Sequence, residues 1–236
     1  MKAIVMAAGM GTRLKEVQGP KSLVTVGQNQ IYLGLQLQAM QSCGFDSIVV
    51  VGGYDFESLQ SYLQTNFPQI TLLRNKDYQK GNLLSLLTAE AFLKDGFFVF
   101  NADHFYSSRT YQLMNDQNQQ NQLCVFFDQD RPLADDDMKI EVLRDEFSKM
   151  SKALPSHLRG YVGVTYVPEN CSLEYLKTCA SVLREKGDAV HVEEVVNQYA
   201  KHNVVQMIDI SGSWWTEIDT DDDLAKARSI ISKNIS

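Results

Sequence analysis

The chain has 236 residues, of which 44% are hydrophobic and 22% are charged, and it contains 14 glycines and 5 prolines. These proportions are typical of a globular protein and exclude a fibrous or disordered chain. The formal net charge of -7 excludes a general attraction to nucleic acid or to anionic membranes, because such attraction needs clustered cations. We therefore expect neither nucleic acid nor a membrane as a partner.

Cysteine usage and hydropathy predict a cytoplasmic protein. The cysteines are Cys43, Cys124, Cys171 and Cys179. They are far apart and form no C-x-x-C pair, so no zinc site or redox pair is indicated and reduced thiols are expected. The apolar stretches all fall short of the roughly 20 residues that a spanning helix needs.

Apolar runs alternate with segments of helical period through the first hundred residues, which is the pattern of parallel strands joined by crossover helices. The predicted strands in this part are Lys2–Met6, Ser47–Val51, Ile70–Arg74 and Phe97–Asn101. The predicted helices between them are Ile31–Cys43, Phe56–Asn66 and Asn82–Lys94. This order of elements predicts an α/β fold.

The second half of the chain has shorter elements. A polar run at residues 115–122 and an acidic stretch, Asp128–Asp137, are predicted to be solvated loops. The further predicted strands are Leu123–Phe127, Met138–Leu143, Phe147–Met150, Tyr161–Val167 and Val204–Ile208, and the further helices are Leu173–Lys186, Val192–Lys201 and Asp221–Ile231. Since no linker or repeat interrupts the chain, we expect one domain over residues 1–236, with a nucleotide-binding half (1–105) and an acceptor-binding half (106–236).

A glycine-rich segment carries the sharpest functional signal. The sequence AAGMGTR, residues 7–13, follows the first predicted strand directly, and PKSL follows at residues 20–23. Small residues let a ligand approach the backbone, and free N–H groups in a glycine-rich turn bind anions. Arg13 and Lys21 would add positive charge for a triphosphate.

Two familiar phosphate-binding motifs do not fit this segment. A dinucleotide fingerprint would need its third glycine at the position of Leu14. A Walker loop would need a glycine before its lysine, where this chain has Pro20. An ordinary glycine turn with two surface cations remains the alternative.

Two aspartates stand at the ends of apparent strands. Asp103 follows the apolar run Phe97–Asn101, and Asp219 follows a shorter segment near the C-terminus. Ligands of open sheets bind at the carboxyl ends of parallel strands, and Mg²⁺ prefers one or two carboxylates with water and phosphate. A magnesium site is therefore predicted, although either residue could instead be a turn or capping residue. His104 is expected to neighbour the site rather than to ligate a metal.

A Gly-Asn pair opens the third predicted helix. Gly81, Asn82 and Ser85 lie within its first turn, where backbone and side-chain groups could contact a base or a ribose. The alternative is a plain helix start that Asn82 caps.

Five segments together resemble the nucleotidyltransferase superfamily that activates sugar phosphates and phosphoalcohols. They are AAGMGTR (7–13), PKSL (20–23), GNLLSL (81–86), NAD (101–103) and EIDT (217–220). The strings KGNLLSL (80–86), DHFY (103–106) and SKAL (151–154) are most like the cytidylyltransferases that act on inositol phosphate or phosphocholine. The resemblance implies a Rossmann-like, mixed but mainly parallel sheet flanked by helices, the nucleotide-diphospho-sugar transferase or GT-A-like fold.

The resemblance also implies roles for individual residues. The implied triphosphate contacts are Gly9, Gly11 and Thr12, with Arg13 and Lys21 as catalytic cations; the base contacts are Ala7, Ala8, Gly81 and Asn82; the Mg²⁺ ligands are Asp103 and Asp219. The implied reaction is transfer of CMP from CTP to a phosphorylated alcohol or phosphonate, with release of pyrophosphate. No protein nucleophile is needed, because positioning and charge neutralisation supply most of the catalysis.

The acceptor is less well defined by the sequence. Lys152, Arg159 and Tyr161 are candidate acceptor contacts. Four aromatic residues could surround a quaternary ammonium or could equally belong to the core. They are Tyr106, Tyr161, Trp214 and Trp215. A hexose-1-phosphate uridylyl- or guanylyltransferase and a non-catalytic regulatory subunit are the alternative functions, and a homodimer is one expectation for the assembly.

Overall fold

The computed structural model describes residues 1–14, 19–27, 29–155 and 159–235. Its strands are β1 (Lys2–Ala7), β2 (Ser47–Gly52), β3 (Thr71–Arg74), β4 (Phe97–Asn101), β5 (His104–Tyr106), β6 (Leu123–Asp128), β7 (Lys139–Leu143), β8 (Glu146–Ser151), β9 (Arg159–Val167), β10 (Val205–Asp209) and β11 (Trp215–Glu217). Its α-helices are α1 (Tyr32–Ser42), α2 (Phe56–Asn66), α3 (Leu83–Thr88), α4 (Ser108–Asp116), α5 (Glu169–Lys186), α6 (Val192–Ala200) and α7 (Asp221–Asn234).

The main sheet is mixed. Its strand order is β10-β6-β9-β4-β1-β2-β3, and the β7–β8 hairpin is attached to β9. Along this path β9 pairs antiparallel with β4 and β6, and the other four pairings are parallel. The mainly parallel α/β sheet predicted from the sequence is therefore confirmed.

Two hydrophobic clusters cover the two faces of this sheet. Successive strand residues point to opposite faces, so Val5 belongs to one cluster and Ile4 to the other. Helices α1, α2, α4 and α7 contribute buried side chains to the cluster that contains Val5, whereas α3, α5 and α6 contribute to the cluster that contains Ile4. Because both faces are covered, the strands are apolar on both sides, as continuous apolar runs predict.

A small second sheet brings the C-terminal part of the chain to the end of β4. Strands β5 and β11 pair antiparallel, with Glu217 opposite His104. The backbone N–H of Ile218 then donates to the carbonyl of Asp103 at 3.0 Å. This pairing places Asp219 beside Asp103, although the two residues are far apart in the sequence.

Helix α4 is absent from the elements predicted by sequence. The hydroxyl of Ser107 caps it by accepting from the N–H of Thr110, and Tyr111 and Met114 are buried one helical turn apart. The prediction of a solvated loop over residues 115–122 was wrong for its first part. Asn115 and Asp116 complete α4, and residues 117–119 form a short 3₁₀ turn.

Helix α3 is shorter than the predicted helix. It ends at Thr88, because the backbone of Ala89 leaves the helical region, and a separate 3₁₀ turn follows at Glu90–Phe92. Among the helices within the described residues, none combines the length and the apolar character that a membrane crossing requires.

Candidate active site

A cavity of about 560 Å³ opens where β1 and β4 end. Ten of the residues predicted for the site line it, namely Gly9, Gly11, Thr12, Arg13, Lys21, Asn82, Asp103, Lys152, Tyr161 and Asp219. A smaller adjoining cavity of about 280 Å³ is lined in part by Ala7, Ala8 and Ser85. Gly81 and Arg159, also predicted, line neither cavity.

The glycine loop packs directly on Lys21. Gly11 has a positive φ of 62°, and a Cβ atom there would lie 2.7 Å from the Cβ of Lys21. Both the backbone conformation and the lack of space require glycine at this position. The close approach sets the ammonium of Lys21 below the loop that is expected to bind phosphates.

The ammonium of Lys21 connects the two aspartates predicted to bind metal. Its Nζ lies 2.7 Å from Oδ2 of Asp103, and it also forms an ion pair with Asp219. Arg13 donates to the second carboxylate oxygen of Asp219 at 2.7 Å and to Asp136 at 2.7 Å. Charged residues that are far apart in the sequence therefore form one network that lines the cavity.

These contacts set the protonation states of the network. Burial alone lowers the pKa of Lys21, but the neighbouring carboxylates of Asp103 and Asp219 outweigh burial and raise it. Burial alone raises the pKa of Asp103, yet the charges of Lys21 and His104 outweigh it and lower the pKa. The lysine is therefore a cation and the aspartate an anion at neutral pH.

His104 lies between two carboxylates. Its Nδ1 is 2.6 Å from Asp103 and its Nε2 is 3.1 Å from Glu217. Although burial lowers the pKa of His104, the two carboxylates raise it to about 10. The ring is thus an imidazolium that donates from both nitrogens, which excludes it as a general base in this state.

The indole of Trp215 is buried, and two side chains pack against it. His104 stacks on it with ring centres 5.7 Å apart, and the guanidinium of Arg131 lies 4.2 Å from its centre. Tyr106 is fully buried. Tyr161 is the aromatic side chain, apart from histidines, that lines the larger cavity within the described residues. The aromatic residues considered from the sequence therefore form no open cage here.

Asn82 lines both the larger and the smaller cavity. Its Oδ1 accepts a hydrogen bond of 2.8 Å from the N–H of Val192, the first residue of α6. The N–H of Gly81 donates to the carbonyl of Asp188 at 2.8 Å, and that of Leu83 donates to the carbonyl of Val190 at 3.3 Å. The segment predicted to contact the base thus pairs with the segment that leads into α6.

Among the predicted acceptor contacts, Tyr161 and Lys152 line the larger cavity. Arg159 instead lies over the ring of Phe127, with its guanidinium 5.1 Å from the ring centre. Four further carboxylates, which were not among the predicted site residues, line the same cavity. They are Asp136, Asp137, Glu193 and Glu217.

The stretch Asp128–Asp137 was predicted to be a solvated loop, and that prediction was wrong at its two ends, because Asp128 completes β6 and is buried and Asp137 is largely enclosed. Asp137 accepts from Arg131 at 3.0 Å and from the N–H of Ala134 at 2.6 Å, and its side chain is only 11% exposed. The sequence signal for this environment was the run Asp135–Asp137 a few residues after Arg131. Glu193 had a weaker signal, because acidic residues are common in the first turn of a helix.

Glu193 is half-buried in the wall of the cavity. Burial raises its pKa, and its own backbone N–H and the charge of Lys152 offset only part of this effect. Among the described residues, no cation lies within 4 Å of its carboxylate. A buried carboxylate without a directly bound cation favours a cationic ligand.

The donor set of Asp103 and Asp219 fits a magnesium ion that also binds phosphate. Both carboxylates face the cavity and share Lys21 as a partner. The described residues contain no cluster of three or more side chains that would hold a metal without a substrate. Mg²⁺ commonly takes one or two carboxylates and completes its shell with water and phosphate oxygens, so two aspartates suffice.

A glycine loop with two cations, set against paired carboxylates at the edge of a mixed sheet, is typical of transferases that bind nucleotides. The chain belongs to the MobA-like NTP transferase domain family, whose model matches residues 3–233. The superfamily resemblance predicted from the sequence is thereby confirmed.

Individual proteins add detail to this assignment. A bifunctional IPC transferase and DIPP synthase from Rubrobacter xylanophilus is 25% identical over 234 residues, which are 97% of this chain and 51% of that protein. A 2-aminoethylphosphonate cytidylyltransferase from Lancefieldella rimae is 34% identical over 105 residues, which are 43% of this chain and 42% of that protein. The chain thus spans about half the length of the curated relatives it matches.

The fold has a counterpart among solved structures. The inositol-1-phosphate CTP transferase from T. maritima superposes with a TM-score of 0.80 at 18% identity, covering 100% of this chain and 97% of that one. At this identity the likeness concerns the fold, which agrees with the nucleotide-diphospho-sugar transferase architecture expected from the sequence.

The contact between Gly81 and the segment before α6 yields a testable expectation. A Cβ atom at Gly81 would lie 1.9 Å from the carbonyl oxygen of Val190. We expect Gly81→Ala to lower the free energy of unfolding by about 1–3 kcal/mol, because the backbone must shift. Urea unfolding followed by circular dichroism measures this change.

Gly9→Ala is the matched control. A Cβ at Gly9 meets nothing within 4 Å. Its free energy of unfolding should change by less than about 0.5 kcal/mol or rise slightly, since alanine restricts the unfolded chain. Equal stability of the two variants would contradict the tight packing at Gly81.

Proposed function

We propose that this chain is a nucleotidyltransferase that transfers CMP from CTP to a small acceptor bearing a phosphate or phosphonate, with release of pyrophosphate. The observation that carries the proposal is the convergence of the glycine loop, Arg13 and Lys21 with Asp103 and Asp219 on one cavity. Membership in an NTP transferase family supports it.

The chemistry needs no nucleophile from the protein. An oxygen of the acceptor phosphate or phosphonate attacks the α-phosphorus of the nucleotide, a new P–O–P linkage forms, and the bond to the β-phosphate breaks. Pyrophosphate leaves with the electron pair. The protein contributes by holding the two reactants in line and by neutralising charge that develops on the leaving group.

Arg13 and Lys21 are the residues suited to that neutralisation. Both are bound to carboxylates in this structure, so a triphosphate has to replace carboxylate partners with phosphate oxygens. The carboxylates of Asp103 and Asp219 are then free for a divalent cation. Mg²⁺ held there would supply further charge compensation on the phosphates.

The chemistry of Asn82 favours cytosine. Because its Oδ1 accepts from the N–H of Val192, the amide nitrogen is the part left for a ligand. An amide N–H₂ group donates, and cytosine presents acceptors at N3 and O2. Both bases accept at O2, but uracil carries a donor at N3, so an amide N–H₂ group that faces N3 favours cytosine. The relatives named cytidylyltransferases support the same choice.

The acceptor side favours a molecule with a primary ammonium group. Carboxylates outnumber cations there, and Glu193 has no cation within 4 Å among the described residues. An ammonium with N–H groups can donate directly to carboxylates, whereas a quaternary ammonium binds chiefly to open aromatic faces. Trp215 is buried and does not line the larger cavity. An aminoalkyl phosphonate or phosphate is therefore preferred over phosphocholine or inositol phosphate.

Pyrophosphate release with Mg²⁺ tests this function. Each of the four ribonucleoside triphosphates is combined with 2-aminoethylphosphonate, phosphocholine, inositol phosphate and hexose 1-phosphates. We expect turnover with CTP and highest kcat/KM for 2-aminoethylphosphonate. Pyrophosphate release from UTP or GTP with a hexose phosphate would instead establish a sugar nucleotidyltransferase. No pyrophosphate release with any combination would favour a regulatory protein.

The role of Lys21 predicts a catalytic defect. We expect Lys21→Ala to lower kcat by roughly tenfold or more, because a cation facing the leaving pyrophosphate is lost. Lys177→Ala is the control, since Lys177 is an exposed cation on α5 away from the cavity. Unchanged kinetics of Lys21→Ala would remove this residue from the site.

The role of Glu193 predicts a selective loss. We expect Glu193→Gln to raise KM for 2-aminoethylphosphonate by roughly tenfold, because a hydrogen bond between charged groups is lost. KM for ethylphosphonate, which lacks the amine, should stay within about twofold. Glu194→Gln is the control, since Glu194 pairs with Lys186 and does not line the larger cavity. Equal effects on both acceptors would contradict ammonium binding at Glu193.

A further inference from the structure

Lys139 is a charged side chain in the interior of the protein. It opens β7, is 1% exposed, and ranks among the largest fully buried side chains of the described residues. Its Nζ donates to three backbone carbonyl oxygens, those of Asp135 at 2.9 Å, Asp137 at 3.0 Å and Lys152 at 2.9 Å. All three N–H donors of the ammonium are therefore used.

This arrangement is unusual for a buried lysine. Buried charges are normally paired with an opposite charge, because removing an ammonium from water is costly. Among the described residues, no carboxylate lies within 4 Å of this ammonium. Neutral carbonyls alone hold it, so the geometry of the two backbone segments that supply them determines whether the charge is tolerated.

The two segments flank the β7–β8 hairpin, one before β7 and one after β8, and both reach the acceptor side of the cavity. Asp135 and Asp137 belong to the loop before β7, and Lys152 follows β8. The side chains of Asp136, Asp137 and Lys152 line the cavity, whereas Lys139 does not. Lys139 thus contacts the backbone of the acceptor-site segments without contacting the site itself.

We propose that Lys139 is a positioning residue for acceptor binding. Its ammonium joins the loop that carries Asp136 and Asp137 to the segment that carries Lys152, and so it fixes the distance between anionic and cationic acceptor contacts. An acceptor with an anionic and a cationic end needs that distance to be constant. The kinetic consequence rests on the proposed function, but the structural consequence does not.

Lys139→Met tests this role. The substitution keeps the length of the side chain and leaves three buried carbonyls without a donor. We expect KM for 2-aminoethylphosphonate to rise about tenfold or more, because small displacements of binding groups are costly, while KM for CTP changes less than about twofold. Lys149→Met is the matched control, since Lys149 lies on β8 of the same hairpin and its side chain is 52% exposed.

Amide hydrogen exchange measured by mass spectrometry supplies a readout that does not depend on turnover. In Lys139→Met, exchange should become faster at residues 133–138 and 151–154 and stay unchanged at residues 7–13. If the wild-type protein shows no turnover, the proposed function fails, and the exchange experiment still decides the role of Lys139.

Three results would overturn the proposal. They are unchanged kinetics, an equal rise of both KM values, and exchange that is unchanged or is faster over the whole chain. If Lys139→Met does not fold, the same measurements on Lys139→Gln decide, because glutamine keeps a donor for one carbonyl. A selective rise of the acceptor KM with local faster exchange in that variant would support the proposal.

Discussion

The ammonium of Lys21 between Asp103 and Asp219 is the interaction on which the site depends. It brings together the glycine loop, the end of β4 and the segment after β11. Lys21 and Asp219 alone are 198 residues apart in the sequence. Two carboxylates facing each other without a cation would repel, and each would lose hydration. The ammonium of Lys21 offsets the repulsion between the carboxylates and compensates for their lost hydration. The close contact of Gly11 with the side chain of Lys21 holds this residue in place.

The same network explains how ligands can enter a site that is already neutralised. Arg13 and Lys21, the cations proposed to bind the triphosphate, are bound to carboxylates in this structure. Two of those carboxylates, Asp103 and Asp219, are the ones proposed to bind a divalent cation. If nucleotide and metal bind as proposed, the phosphates take Arg13 and Lys21 as partners and the metal takes Asp103 and Asp219. Arg13 extends this exchange to the acceptor side, because it also binds Asp136. On the proposed function, binding of the nucleotide would therefore free Asp136 for a ligand.

Much of the nucleotide side could be predicted from the sequence, because its signals are local. Small residues directly after an apolar run predict a turn that a ligand could approach, and Gly9 and Gly11 do line the cavity. Strand β4 has the bounds expected from its apolar run. The acceptor side was harder to predict. The environments of Asp137 and Glu193 depend on Arg131, on Lys152 and on burial, none of which is encoded next to them. An acidic loop on the surface and one that lines a cavity have the same composition.

The support that Lys139 gives to the acceptor side has a consequence for specificity. Its three bonds go to backbone carbonyls, which every residue type provides, so they place no restriction on the side chains at positions 135–137 and 152. These side chains can change while the backbone that carries them stays fixed. A ligand-binding loop normally gains adaptability by losing rigidity. Here a buried ammonium holds the backbone rigid without restricting which side chains the loop carries. This suits a fold in which related proteins are named for different acceptors.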